Sequence, residues 1–197
     1  MHFILGNHEI MNLVGMTYHV RSKYKRLSKK LKVDYSNYLY GKNSELGKWL
    51  RSKNTIERIG DYLFVHGGIS PGMYKKQLNM DTINERVRNY NKITDEEEKD
   101  ELRFGNESPL WHRGYVRDRE DNIKEYIDSV LVYYHVKKII VGHTCRSNIK
   151  YSVNNRVIDV DVHFPQDSKD EHIGQCLLIT NGDFWVIDTQ NNKVSLK

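Results

Sequence analysis

Three short apolar runs along the chain share one local pattern. Each is suited to a buried strand and is followed at once by glycine and a potential metal ligand. The runs are Phe3 to Leu5 before Gly6-Asn7-His8-Glu9, Tyr62 to Val65 before His66-Gly67-Gly68, and Ile139 to Val141 before Gly142-His143-Thr144. Side chains just past strand ends gather along one edge of a sheet, where open α/β folds build their sites. The pattern therefore predicts that three loops far apart in sequence meet.

Segments with helical spacing lie between these runs. Apolar residues recur at helical intervals over Leu46 to Leu50 after a potential Ser44 cap, and a longer stripe follows Asn122. That stripe consists of Ile123, Tyr126, Ile127, Val130, Leu131 and Tyr134. We therefore expect two helices, the second leading directly into the strand at Ile139.

A polar, charged stretch covers residues 81–107. Within it, Thr94 and Glu97 form a capping-box pattern that predicts a charged helix from Thr94 to Leu102. Because the stretch lacks the turn-rich composition of a linker, we interpret it as a cap element inserted into a single domain that spans residues 1–197.

The pattern changes to β from Arg156 onward. A strand is expected from Val157 to Val162, followed by strands from Cys176 to Thr180 and from Phe184 to Asp188. The last two flank Asn181-Gly182, which is a strong hairpin signal. The predicted fold class is α/β, with a mixed β-sheet sandwich flanked by helices.

Composition narrows the class of protein. The 197 residues, 38% of them hydrophobic, are enough for one domain with a core. No stretch approaches the roughly 18 apolar residues of a membrane span, and no signal-peptide pattern is present, so we expect a cytoplasmic protein with no membrane partner. Cys145 and Cys176 have neither zinc-site nor disulfide spacing, and we interpret both as small residues compatible with a core.

A basic cluster contributes strongly to the formal net charge of +5. Its cations are Arg21, Lys23, Lys25, Arg26, Lys29, Lys30 and Lys32. Tyr24, Leu27 and Leu31 fall at i, i+3 and i+7 among them, which is typical of an ordinary surface helix with a solvated basic face. Since no nucleic-acid-binding motif accompanies the charge, we expect no nucleic-acid partner and rank that function last.

The residue types after the three runs indicate a metal site. An asparagine oxygen with two imidazoles suits a borderline metal such as Mn, Fe or Zn, because structural zinc prefers thiolates and magnesium prefers oxygens. Asp159, Asp161 and His163 alternate and offer a second potential cluster, but that face fits a solvated sheet surface equally well. We assign no ligand role to the other histidines, His2, His19, His112, His135, His163 and His172.

Taken in order, the three blocks resemble the last three signature blocks of the calcineurin-like metallophosphoesterases, which include the phosphoprotein phosphatases. The segments Phe64 to Pro71 and Pro109 to Tyr115 resemble the Shewanella-like bacterial branch in particular. The resemblance implies a four-layer α/β/β/α fold and hydrolysis of phosphorylated substrates.

The resemblance also implies roles for individual residues. Asn7, His66 and His143 would bind the second metal of a binuclear pair. His8 would lie on the leaving-group side of the phosphate and protonate the departing oxygen. Arg113 is our candidate for a bidentate phosphate clamp, and packing against neighbouring aromatic rings is its alternative role.

Two earlier blocks of the family, which supply the first metal's ligands and a bridging aspartate, have no counterpart ahead of Phe3. We therefore expect an N-terminally truncated domain that lacks its first strands and binds at most one metal ion. The expected function is metal-dependent phosphomonoester hydrolysis in a full-length parent, with weak or no activity in this chain. A noncatalytic remnant that binds metal or phosphate is the alternative.

Overall fold

The computed structural model describes residues 1–89, 105–117, 123–164 and 173–197. The first part is helical: α1 (Asn7–Leu13), α2 (Ser22–Lys30), α3 (Tyr35–Tyr40) and α4 (Glu45–Arg51). A strand pair and two helices follow, β1 (Ile56–Ile59), β2 (Tyr62–Val65), α5 (Pro71–Lys75) and α6 (Met80–Arg88). The remaining elements are α7 (Gly114–Arg117), α8 (Ile123–Tyr134), β3 (Lys138–Val141), β4 (Lys150–Ser152), β5 (Val157–Asp159), β6 (Gln175–Thr180), β7 (Asp183–Asp188) and β8 (Lys193–Ser195).

Two sheets form the β structure. The larger has the order β1-β2-β3-β5-β4, and the smaller has the order β6-β7-β8. Strands β2, β3 and β5 are mutually parallel, whereas β1 and β4 run antiparallel at the two edges. Because parallel strands end at the same edge, the loops after β2 and β3 leave the sheet side by side.

The larger sheet is covered on both faces, and its side chains alternate accordingly. Leu63 of β2 and Ile139 of β3 pack in the helix-side core with α5, α6 and α8. Ile140 of β3 packs on the opposite face with Phe184 and Val186 of β7. A mixed α/β sandwich flanked by helices is therefore confirmed, with the smaller sheet as the second β layer.

Several local predictions are confirmed. Ser44 caps α4 by accepting a hydrogen bond from the Gly47 N–H, and α8 buries the predicted stripe except for the half-buried Tyr126. In the β6–β7 hairpin, Asn181 and Gly182 both adopt positive φ, at 51° and 83°. These angles are those that a tight hairpin turn requires and that asparagine and glycine tolerate best.

Other local predictions are wrong. The expected strand at Phe3 is reduced to a single parallel bridge between Ile4 and Asn54. The strand predicted from Val157 to Val162 ends at Asp159. Cys145 and Cys176 are exposed rather than part of a core, because one lies in a loop and the other on the outer face of an edge strand.

The predicted cap at 81–107 lies partly outside the described residues. Its first part belongs to α6, which packs beside β1: the buried Asn84 side chain accepts the N–H groups of Thr55 and Ile56 at 2.8 and 3.1 Å and donates to the Ile56 carbonyl at 2.9 Å. The predicted helix Thr94 to Leu102 is not among the described residues. No helix in the described ranges is long and apolar enough to cross a membrane.

Candidate active site

Three side chains from separate loops converge at the edge of the larger sheet. Asn7 is the first residue of α1, His66 follows β2, and His143 follows β3. His66 Nε2 lies 2.9 Å from Asn7 Oδ1 and 3.1 Å from His143 Nδ1. The three side chains predicted to meet therefore lie together, and their role as metal ligands stays a prediction.

Backbone contacts fix the two histidine loops against each other. The Gly142 N–H donates to the His66 carbonyl at 2.8 Å, so the loop after β3 continues the pairing of its strand with β2. His143 itself has a positive φ of 68°, an uncommon conformation for a residue with a side chain. This conformation turns its ring back toward His66, with the ring centroids 4.8 Å apart.

Glycine is required at two positions around His66. A Cβ at Gly67 would lie 2.8 Å from the His112 carbonyl oxygen, and a Cβ at Gly6 would lie 2.9 Å from the His66 Cε1 atom. The Gly67 N–H donates to the Pro109 carbonyl at 2.7 Å, which ties the His66 loop to the segment preceding α7. Gly6 therefore lets the start of α1 approach the His66 ring, and Gly67 lets the His66 loop approach the backbone at His112.

Both imidazoles are held in the neutral form. Burial, followed by repulsion from His8 and Arg113, lowers the pKa of His66 to about 4. Burial, followed by repulsion from His66 and Arg113, lowers the pKa of His143 to about 3. A neutral ring offers a nitrogen lone pair at physiological pH, which is the form that metals bind.

The donor set fits one divalent cation. Two imidazole nitrogens and an amide oxygen converge at separations of 2.9 and 3.1 Å, and tetrahedral ligands with bonds of about 2.1 Å lie only a few tenths of an ångström further apart. All three ligands are neutral, and no group of three or more His, Cys, Asp or Glu within the described ranges is arranged to hold a metal. The set therefore fits part of a coordination sphere that an anionic ligand would complete.

Arg113 braces the His143 loop from the side. Its Nη1 donates to the His143 carbonyl at 2.7 Å and to Thr144 Oγ1 at 3.1 Å. The same residue lines a cleft of about 320 Å³ with Trp111 and Arg117. Arg113 thus lies beside the predicted metal ligands and is bonded to the His143 loop.

His8 follows Asn7 in sequence and lies near enough to His66 and His143 to contribute to lowering their pKa values. It is exposed and stacks on His19, with ring centroids 4.6 Å apart and an interplanar angle of 24°. Nothing in the sequence assigns a role to His19, because a single histidine eleven positions after His8 belongs to no recognisable motif. Its position beside the predicted acid is set by the loop between α1 and α2.

Asp159 and Asp161 also lie closer to the site than their sequence pattern indicated. Asp159 ends β5 and is fully buried, and its burial raises the pKa to about 6. A Cβ built at Gly142 would lie 3.8 Å from the Asp161 Cβ and 3.9 Å from His66 Nδ1. The strand ends before Asp161, so the three alternating residues do not form the continuous sheet face that was considered.

A family model for calcineurin-like phosphoesterases matches residues 1–147. The chain belongs to the calcineurin-like phosphoesterase family. The predicted resemblance to this family is therefore confirmed, and the site described above lies within the matched residues.

Solved structures of phosphatases share the fold of this family member. A cold-active protein tyrosine phosphatase superposes with a TM-score of 0.84 at 32% identity, over 100% of this chain and 57% of that chain. The cold-active protein-tyrosine phosphatase of a psychrophilic Shewanella species gives a TM-score of 0.84 at 31% identity, over 100% of this chain and 58% of that chain. A point mutant of a cold-active protein tyrosine phosphatase gives a TM-score of 0.83 at 32% identity, with the same two coverages. The chain thus spans less than two thirds of the length of these neighbours. No curated protein sequence matches it.

Proposed function

We propose that these residues form the second-metal and leaving-group half of a metal-dependent phosphomonoesterase site. The observation that carries the proposal is the convergence of Asn7, His66 and His143, with both rings held neutral. Family membership supports phosphoester hydrolysis, and the solved neighbours named as protein tyrosine phosphatases favour phosphoprotein substrates carrying phosphotyrosine.

In this proposal each residue contributes a defined part. Asn7, His66 and His143 hold a Mn, Fe or Zn ion, which supplies Lewis-acid chemistry when bound. His8 holds a proton at the leaving-group side and donates it to the departing oxygen. The planar guanidinium of Arg113 can donate two parallel hydrogen bonds to a phosphate group. Its hydrogen bonds to the His143 loop keep it beside the site.

A second candidate function is noncatalytic binding of a metal or a phosphate group. It is favoured by the three convergent side chains, Asn7, His66 and His143, none of which carries a negative charge. Three neutral ligands leave the charge of a divalent ion uncompensated, which lowers the affinity for that ion. A single cation also cannot hold both the attacking and the leaving oxygen of an in-line displacement.

Hydrolysis of 4-nitrophenyl phosphate with added Mn²⁺ tests the proposal. We expect turnover from the full-length product of the gene, its loss in His66→Ala, and little or none from the 197 residues alone. Metal binding without turnover in the full-length protein would favour the second candidate. Robust turnover by the 197 residues alone, abolished by His66→Ala, would show that one incomplete site suffices and that our model of the site is wrong.

The acid role of His8 has its own test in the active full-length protein. His8→Asn should slow hydrolysis of an alkyl phosphate by about 10²- to 10⁴-fold and that of an activated aryl phosphate far less, because a good leaving group departs without a proton. His143→Asn, which damages metal binding, should slow both substrates alike. Equal effects of His8→Asn on the two substrates at constant metal content would contradict the acid role.

A further inference from the structure

Helix α2 and its flanks form a surface of unneutralised positive charge, here called the α2 surface (residues 21–32). Seven Lys and Arg side chains and no acidic one occur in these twelve residues. The net charge of the chain is +5, so the remainder, five minus seven, carries −2. Within the described part of the chain, none of the seven cations forms an ion pair with a carboxylate. The charge of the molecule is therefore concentrated at this one place.

The apolar stripe of α2 is also uncovered. Tyr24, Leu27 and Leu31 are 47%, 52% and 58% exposed, and no residue of the helix is buried. An amphipathic helix is stabilised chiefly by packing its apolar face, so a stripe left in water can bind a partner. The stripe does have the predicted spacing, but it does not pack against the body of the domain.

The α2 surface adjoins the predicted leaving-group side of the site. His19 lies just before the helix and stacks on His8. Tyr18, which is 72% exposed, packs edge-on against His19 with the ring centroids 6.1 Å apart. The pKa of His19 is lowered by burial, then by His8, and also by Lys25, so the first turns of α2 lie within electrostatic range of that ring. The His8–His19 pair and the first turns of α2 are therefore neighbours on the surface.

We propose that the α2 surface docks an acidic segment of a phosphoprotein substrate, one that also carries apolar side chains, beside its phosphorylated residue. The proposal rests on the proposed phosphatase function. Clustered cations recognise acidic motifs, and the uncovered Leu27 and Leu31 provide contacts that apolar peptide side chains can use. Nucleic acid would engage the cations but not the leucines. A helix that inserts into a membrane surface presents a broader apolar face than these three residues.

Fluorescence anisotropy with the 197-residue protein tests this directly. The probe is a fluorescein-labelled twelve-residue peptide with one phosphotyrosine, five glutamates and two leucines, compared with its glutamine counterpart. We expect the acidic probe to bind more tightly, and its affinity to fall as NaCl is raised. The quadruple variant Lys25→Gln, Arg26→Gln, Lys29→Gln and Lys30→Gln should weaken binding about tenfold or more, which is within the range for four exposed charge pairs.

A matched variant loses the same four charges elsewhere on the surface: Lys42→Gln, Lys124→Gln, Lys150→Gln and Lys197→Gln. It should bind the acidic probe within about twofold of the unmodified protein, because screening confines surface charges to a Debye length of about 8 Å. The double variant Leu27→Ser and Leu31→Ser should weaken binding without changing its dependence on NaCl.

Three outcomes would overturn the proposal: equal losses in the two quadruple variants, equal binding of the glutamine peptide, or tighter binding of a single-stranded oligonucleotide or of phosphatidylserine vesicles. The measurement needs neither metal nor turnover. Peptide docking without phosphatase activity in the full-length protein would therefore contradict only the proposed function. Turnover of 4-nitrophenyl phosphate without α2-dependent peptide binding would contradict only the docking proposal.

Discussion

Replacing Gly6 by alanine should displace the His66 ring. Gly6 has φ −100° and ψ 177°, which any residue adopts, so the substitution introduces no backbone strain. Its new Cβ would lie 2.9 Å from His66 Cε1 and 2.8 Å from Glu9 Oε2. The carboxylate is the end of a flexible side chain and can move, whereas the ring is held between Asn7 and His143. The effect of the substitution is therefore exerted on the ring.

The size of the effect follows from these contacts. Ordinary contact begins at 3.4 Å, so the ring must retreat by about half an ångström in a close-packed site. Overpacking of this kind costs about 1–3 kcal/mol, which lowers the melting temperature of a domain of this size by about 2–12 °C. A ligand displaced from its position should also lower the affinity for Zn²⁺ by about tenfold or more.

Gly142→Ala is the matched control. Gly142 precedes the other histidine ligand, but the nearest atom to its ideal Cβ lies 3.8 Å away and its φ is not positive. We expect a melting temperature that is unchanged or slightly raised, because alanine restricts the unfolded chain more than glycine does. Thermal unfolding by circular dichroism and Zn²⁺ titration by calorimetry measure both quantities. Equal losses in the two variants, or no loss in Gly6→Ala, would refute the steric reasoning.

Three further predictions concern the site and the fold around it. The pKa values of His66 and His143 in the folded protein lie below the histidine value of the unfolded chain, so the unfolded chain binds more protons below pH 6.5. The free energy of unfolding in EDTA should therefore fall as the pH drops from about 6.5 to about 4. The fall should be at most about 1.4 kcal/mol per pH unit for each residue. Urea unfolding should show a flatter profile in the double variant His66→Asn, His143→Asn, and an unchanged slope would contradict the assigned pKa values. Thr144→Val should cost about 1 kcal/mol through the lost Arg113 bond, yet leave inhibition of the full-length enzyme by phosphate unchanged. Arg113→Lys should weaken that inhibition, and equal effects of the two would mean that Arg113 acts only by bracing the loop. Asn84→Ala should cost about 2–4 kcal/mol in urea unfolding, since it leaves buried backbone N–H groups of β1 unpaired, and a loss below about 1 kcal/mol would contradict this account.

Much of the local structure could be predicted from the sequence, because its causes lie within a few residues. The Asn181-Gly182 pair is suited to the positive φ angles of the hairpin turn, and Ser44 supplies the cap of α4. The proximity of His66 and His143 was also predictable, since the residues after parallel strands share an edge whatever the separation in sequence. Asn7 joins them although the run before it forms a single bridge rather than a strand. These inferences depend on local patterns and on one general property of sheets.

Tertiary structure alone decided which of these local features are covered and which side chains meet. The stripe at Tyr24, Leu27 and Leu31 has helical spacing whether or not another element packs on it, and spacing carries no information about that element. His19 reaches His8 because of the path of one loop, to which no periodicity applies. The apolar run at Phe3 has strand character, but a strand needs a partner along its length, and Asn54 pairs with it at a single position. Sequence by itself therefore determined caps, turns and helical spacing, whose causes are local, whereas burial, exposure and contact depended on elements distant in the chain.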